Sequence, residues 1–203
     1  MNRLVLASRN PGKLADFSML LSSLQVELTS VADFSDEDVE ETGASFVENA
    51  LLKARHASRV SGLPALADDS GLVVDALDGA PGIYSARYAG SGATDEANNR
   101  KLLADMAGLA GRQRAAHFHC TLVVVKSAAD PAPIIADGRW EGVIANQASG
   151  DGGFGYDPLF IPAGGSASVA ELSAQEKNQR SHRGLALRQL LPQLRGLVET
   201  NSG

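Results

Sequence analysis

The sequence predicts an α/β chain built on a mixed sheet with flanking helices, and three patterns point there. Apolar runs of strand length interleave with segments whose leucines recur at helical spacing. Two Ser-x-x-Glu signals, Ser45 with Glu48 and Ser173 with Glu176, mark helix starts. Strands and helices also mix without strict βαβ alternation, which favours a mixed sheet over a doubly wound parallel one.

Taken in chain order, Arg3–Ala7 reads as a buried strand broken by Ser8-Arg9-Asn10-Pro11-Gly12. A helix follows, because Leu14, Phe17, Leu20, Leu21 and Leu24 keep a helical period. Val26 and Leu28 alternate as a second strand, and the acidic stretch Asp33–Glu41 is a loop. The helix opened by Ser45 carries Phe46, Ala50, Leu51, Ala54 and Ala57 on its apolar face. Strand-like Ala65–Ala67 and Leu72–Val74 then bracket an acidic pair, Asp68-Asp69. Gly79-Ala80-Pro81-Gly82 is a turn, and Thr94 caps a helix bearing Leu102, Leu103 and Met106.

In the second half Phe118, Cys120, Leu122 and Val124 alternate as a half-buried strand. Ile134–Ala136, Asp137-Gly138 and Trp140–Ile144 spell a hairpin. The glycine-rich stretch Ser149–Asp157 is a loop before a short strand, Leu159–Ile161. The helical region opened by Ser173 ends on a face of Leu187, Leu190, Leu191 and Leu194. No repeat, linker or low-complexity segment divides residues 1–203, which read as a single domain.

The totals narrow the function classes. At 203 residues, 44% hydrophobic and 21% charged, the composition is that of an ordinary globular protein with a sizeable core. A net charge of −6 argues against a broad nucleic-acid footprint but leaves room for a small anion where basic residues converge. A single cysteine, Cys120, excludes an internal disulfide and fits a reducing compartment. Leu4–Ala7 is too short for a signal peptide and no apolar span approaches membrane length, so a cytoplasmic protein with no membrane partner is expected.

Four segments stand out chemically. Asp68 and Asp69 close an apolar run and are followed by Ser70 and Gly71; two carboxylates at the end of a buried strand are costly unless a cation or proton offsets them. Mg²⁺, which takes one or two carboxylates plus phosphate oxygens, is the economical partner. Ser8–Lys13, SRNPGK, lies between a strand and a helix, where backbone N–H groups attract anions and Lys13 adds charge. It is not a Walker A loop, since Ala7 and Leu14 stand where that motif needs Gly and Ser/Thr. Gly150–Gly155 matches G-x-G-x-x-G, yet Tyr156-Asp157-Pro158 and a short strand follow rather than a helix, so the dinucleotide reading fails. What is left is a glycine-rich loop presenting Phe154 and Tyr156, either as stacking surfaces for a base or as plugs for the core. Finally, KNQRSHR gathers Lys177, Arg180, Ser181, His182 and Arg183; as one helix, Lys177 and Ser181 share a face. His117 and His119 project to one side of their strand without a third ligand, a side that reads as polar, and Cys120 reads as packing.

Together these segments resemble the inosine triphosphate pyrophosphatase family, enzymes that remove non-standard purine nucleoside triphosphates. The matching stretches are SRNPGK (Ser8–Lys13), EETGASFVENALLKA (Glu40–Ala54), ADDSGLVVDALDGAPGIYSARYAG (Ala67–Gly90), GGFGYDP (Gly152–Pro158) and EKNQRSHR (Glu176–Arg183), in family order across nearly the whole chain. One departure is mild: Ser8-Arg9 stands where Thr-Gly or Thr-His is common, a change that preserves the loop's backbone donors. The resemblance implies an elongated mixed sheet whose helices make two lobes around a nucleotide cleft, and a homodimer. It implies Mg²⁺-dependent hydrolysis of the α–β linkage of ITP, dITP and XTP to the monophosphate and pyrophosphate. By position, Ser8, Arg9, Asn10, Pro11, Gly12 and Lys13 would hold the phosphates with Lys177, and Asp69 would be proton acceptor and metal ligand. Ser70 would contact substrate, Glu40 would be the second metal-side carboxylate with Glu41 as the alternative, and Phe154, Gly155, Tyr156, Asp157, His182 and Arg183 would hold the base.

The chemistry agrees with that assignment. Hypoxanthine and xanthine carry a C6 oxygen where adenine carries an amino donor, so donors from Arg183, His182 or loop amides would favour the former. Guanine shares that oxygen and must be refused at its C2 amino group. Two other readings compete: a related pyrophosphatase for modified pyrimidine triphosphates, and a nucleotide-binding module without turnover.

Overall fold

The computed structural model describes residues 3–24 and 26–199. Its strands are β1 (Arg3–Leu6), β2 (Glu27–Ser30), β3 (Ala65–Val74), β4 (Ala115–Val125), β5 (Ile134–Ile144) and β6 (Phe160–Pro162). The helices are α1 (Pro11–Leu21), α2 (Phe46–Ser61), α3 (Asp95–Asp105), α4 (Ala174–Arg180) and α5 (His182–Glu199). The strands form one sheet in the order β2-β1-β3-β4-β5-β6. β1 pairs parallel with β2 and with β3, whereas β5 and β6 are antiparallel, so the sheet is mixed as expected. The opening β1-α1-β2-α2-β3 stretch is nonetheless a regular βαβαβ run.

The chain divides into two compact units. The first takes the chain up to Asp69, Thr121–Asp137 and the chain from Ala186 on; the second takes Ser70–Cys120 and Gly138–Leu185. In the first unit α2 lays Ala50, Ala54 and Ala57 against Val5, Ala65, Ala67, Val123 and Val125. Three alanines one turn apart let the helix axis approach the strands closely, and Gly62, left-handed at φ 69°, ends the helix. In the second unit Leu72, Val74, Leu102, Phe118, Trp140, Tyr156, Leu159 and Phe160 form the core.

Four expectations are corrected by the strands and helices themselves. Asp68 and Asp69 do not close a strand; β3 runs unbroken through them to Val74, because lysines supply the compensation that an apolar strand would otherwise lack. The Asp137-Gly138 pair makes no hairpin, and β5 is one strand of 11 residues. Asp137 accepts a 2.6 Å hydrogen bond from Thr121 Oγ1 of β4, so its side chain is satisfied within the sheet and its turn preference is overridden. KNQRSHR is not one helix: Ser181 adopts an extended conformation (ψ 155°) that ends α4, and His182 begins α5. β4 is likewise buried on both sides rather than half-buried, with His117 and Thr121 enclosed on the side read as polar.

Arg114, just before β4, holds the second unit together at an unexpected place. Its buried guanidinium donates to the carbonyls of Ile144 and Ala145 at 2.7 Å and to those of Met106 and Leu109 at 3.3 and 3.2 Å. It thereby ties the end of α3 to the end of β5. Arg114→Met retains the stem but abandons four carbonyls, and is expected to lower unfolding free energy by about 3 kcal/mol, read as a shift of the urea midpoint. A shift worth less than about 0.5 kcal/mol, the range of neutral surface changes, would contradict this account.

Candidate active site

Period-2 geometry sends neighbouring strand residues to opposite faces, and in β3 this separates the two aspartates. Asp69 shares the face of Ala65 and Ala67, which α2 covers, and there meets Lys53 of α2 at 2.8 Å. The same ammonium reaches Glu41 at 3.0 Å. Asp68 points the other way and is gripped through both oxygens by Lys13 of α1, at 3.0 and 2.9 Å. The Asp68 side chain is 1% exposed and that of Asp69 11%.

The loop before α1 is ordered by its own side chains. Asn10 caps the helix, accepting from the N–H groups of Gly12 at 2.8 Å and Lys13 at 3.3 Å, and Pro11 occupies the first turn without wasting a donor. Ser8 Oγ accepts from Asn10 N–H, and the Ser8 carbonyl accepts from Ser30 Oγ. Arg9 is committed elsewhere: it donates to the carbonyls of Ser35 and Glu37 at 2.7 and 2.9 Å and pairs with Asp38 at 3.0 Å. The side chain that departs from the family pattern thus fastens the acidic segment leading to Glu40 and Glu41.

In the second unit the glycine-rich loop folds on Asp157. That buried carboxylate accepts from Phe154 N–H at 2.9 Å and from Lys177 Nζ at 2.5 Å. Gly153 is obligatory, since at φ +77° a Cβ would sit 2.2 Å from Asp157 Oδ2. Phe154 is 59% exposed, with the Lys177 ammonium 4.3 Å from its ring centre. Tyr156 is a core residue, its hydroxyl donating to the Ser85 carbonyl at 2.8 Å, so its ring is no open stacking surface. His182 stacks on Phe118 at 4.9 Å and 14°. Arg183 follows it half-buried. Ser70 lies half-buried in β3, its Oγ without a hydrogen-bond partner in the structure.

Electrostatics single out Asp69. Burial pushes its carboxyl above the ordinary range, Lys53 opposes this, and nearby Glu41 and Asp68 add to the rise. Burial pulls the Lys53 ammonium down, but Asp69 and Glu41 outweigh it and leave Lys53 raised. An acid whose folded-state pKa is raised contributes stability at low pH that is lost as pH rises through that value, so ionised Asp69 is a cost to folding at neutrality.

The geometry therefore brings Lys13 to Asp68 and Lys177 to Asp157, and of the two glutamates left open it turns Glu41 toward Asp69, while Glu40 is exposed. Lys53 was not singled out by sequence. It lies 16 residues before Asp69 on a helix, inside the matching stretch Glu40–Ala54, with an i, i+3 spacing from Ala50 on the face toward the sheet.

The mixed six-stranded sheet flanked by helices defines an α/β protein, one unit of which carries lysine-paired buried carboxylates and the other a glycine loop with an exposed ring beside an ammonium. The sequence profile of the Ham1 family matches residues 4–193, and the chain belongs to that family, which bears out the resemblance. It is 52% identical over 195 residues to the dITP/XTP pyrophosphatase of Pectobacterium atrosepticum, spanning 96% of this chain and 99% of that protein. With the protein of the same name from Thioalkalivibrio sulfidiphilus it shares 53% over 194 residues, again 96% and 99%. Among solved structures, a HAM1 protein from Coxiella burnetii matches with a TM-score of 0.92 at 49% identity, covering 96% of this chain and 98% of that one. The nucleoside-triphosphatase / dITP/XTP pyrophosphatase from Mycobacterium abscessus matches at 0.81 and 46%, covering 94% and 99%.

Because Lys53 is the group that opposes the rise of the Asp69 carboxyl, Lys53→Met is expected to move that titration to higher pH. Carbon NMR of the Asp69 carboxyl reads it directly, and an unchanged or lowered titration would contradict the assigned sense.

Proposed function

We propose that this chain hydrolyses dITP, XTP and ITP to the nucleoside monophosphate and pyrophosphate, clearing non-standard purines from the nucleotide pool. The names of its relatives support the substrate class. The observation that carries the chemistry is the Lys53–Asp69 pair with Glu41 beside it. Water attacks the α-phosphorus, the bond from that phosphorus to the bridging oxygen breaks, and pyrophosphate leaves with the electron pair. Asp69 orients the water and takes its proton. An ordinary aspartate is a weak base near neutral pH, and the raised Asp69 carboxyl is a stronger one. Lys53 holds Oδ1 in place and keeps the group ionised.

The donor set suits a hard cation. Asp69 and Glu41 offer only carboxylate oxygens and share the single Lys53 ammonium. Among the described residues no three His, Cys, Asp or Glu side chains form a ready metal cage. Mg²⁺ needs none, since it binds through one or two carboxylates and phosphate oxygens. Asp69 with Glu41, or Glu40 next to it, would hold it, and the ion would neutralise charge on the phosphates. Lys13 and the Ser8–Gly12 loop serve the phosphates, as does Lys177; Ser70, with its unspent hydroxyl, contacts substrate. Phe154 provides the stacking face, while the loop amides, His182 and Arg183 read the base. The family resemblance adds a homodimer, which sedimentation in solution tests. No helix of the described residues is long and apolar enough to cross a membrane.

A panel of triphosphates with Mg²⁺ tests the assignment: dITP, XTP and ITP should release pyrophosphate, not phosphate, ahead of ATP, GTP and pyrimidine triphosphates. Preference for GTP, ATP or a pyrimidine would overturn it. Asp69→Asn should lower kcat by about 10²–10⁴-fold, the range for a lost general base, with nucleotide binding still measurable by calorimetry; a near-normal kcat would remove Asp69 from its role.

A further inference from the structure

Gly155 is held from both ends by one helix. Thr94 caps α3, its Oγ1 accepting from Ala97 N–H, and the first turn then places Asp95 and Asn99 four residues apart on one side. Asp95 Oδ2 accepts from Gly155 N–H at 2.6 Å, and Asn99 Nδ2 donates to the Gly155 carbonyl at 2.9 Å. Only the amide nitrogen of Asn99 can face a carbonyl, so this orientation is forced even though its Oδ1 is left buried without a partner. Gly155 itself sits at φ +61°, with nothing within 4 Å of where a Cβ would be. Its need is conformational, and the two side chains fix the conformation.

The helix that does this is itself anchored. Asn98, 2% exposed, donates to the Ala86 carbonyl at 3.2 Å and accepts from Ala89 N–H at 2.8 Å. The same turn receives the Tyr156 hydroxyl at Ser85. Gly155 thus lies between a tethered, inward Tyr156 and an outward Phe154.

We infer that Asp95 and Asn99 are positioning residues for base selection: by fixing the Gly155 peptide from α3 they set the exposed face of Phe154, without themselves touching the nucleotide. This rests on the reading that Phe154–Asp157 hold the base. Asp95→Ala and Asn99→Ala should each lower the dITP-over-GTP ratio of kcat/KM by about tenfold, a scale within reach of a slightly misplaced contact. The loss should appear in KM for dITP, with kcat nearly unchanged. Asp95→Asn retains an acceptor oxygen and should restore the ratio, whereas Asn99→Asp sets a carboxylate against a carbonyl and should not.

Hydrogen exchange separates positioning from general damage. In Asp95→Ala the Gly155 amide should exchange faster while the α3 amides keep their protection; an unchanged Gly155 rate would overturn the clamp. Phe154→Ala separates the two levels of the argument. If it leaves discrimination intact, the base-loop reading fails and the inference with it. If Phe154→Ala lowers discrimination but neither alanine variant on α3 does, the clamp alone is refuted.

Discussion

Two consecutive carboxylates inside a sheet strand are the constraint to which the first unit is built. Lys13 with Asp68 and Lys53 with Asp69 are buried ion pairs, and breaking such a pair typically costs roughly 3–5 kcal/mol. Because strand geometry sends Asp68 and Asp69 to opposite faces, one lysine cannot serve both. The fold supplies one from each covering helix: Lys13 sits near the start of α1, Lys53 in the middle of α2. The caps at Asn10 and Ser45 set where those helices begin, and the alanine face lets α2 lie close to the strands.

The second unit repeats the device on a loop. Asp157, 3% exposed, accepts from Lys177 and from the Phe154 amide, and so closes the glycine-rich turn around a charge. An ammonium has three N–H groups, and its pairing with one carboxylate leaves donor capacity for an anion. The lysines are thus held in place by buried acids and keep hydrogen-bonding capacity. In a protein whose net charge is −6 the long-range field repels anions, so only local, positioned cations can offset it.

What the sequence disclosed follows the reach of each signal. Helical period and capping residues are local, so α1, α2 and α3, the caps at Ser45 and Thr94 and the glycine loop were legible, whereas the Asn10 cap was hidden in the SRNPGK turn. Signals that depend on neighbours in the sheet were not. Asp137-Gly138 carries turn chemistry, and only its partner on β4 keeps it in a strand. The acidic pair reads as a strand end until Lys13 and Lys53 are placed beside it, and Lys53 has no mark beyond a helical phase shared with alanines and its place in the matching stretch Glu40–Ala54. Tyr156 could be read as a stacking ring or a core plug from composition alone; the hydroxyl bond to Ser85 decides for the core. The functional family was legible for a different reason, since five segments in fixed order carry information that no single one holds.

A common logic links the dyad and the loop. In each, one residue is committed to structure beside another that stays more exposed. Asp68, bound through both oxygens and 1% exposed, makes a rigid ion pair; Asp69, fixed one residue later, keeps 11% exposure and a titration lifted by burial. Tyr156 is immobilised in the core while Phe154, two residues earlier, keeps its ring in the open. Preorganisation of this kind requires the anchor's own interactions to exceed those the neighbour will make with a ligand, since otherwise binding would deform the site rather than use it. The Asp68 carboxylate, doubly bonded to Lys13, and the buried Tyr156 ring, tethered through its hydroxyl, are anchors of that kind, with Asp69 and Phe154 one and two residues away.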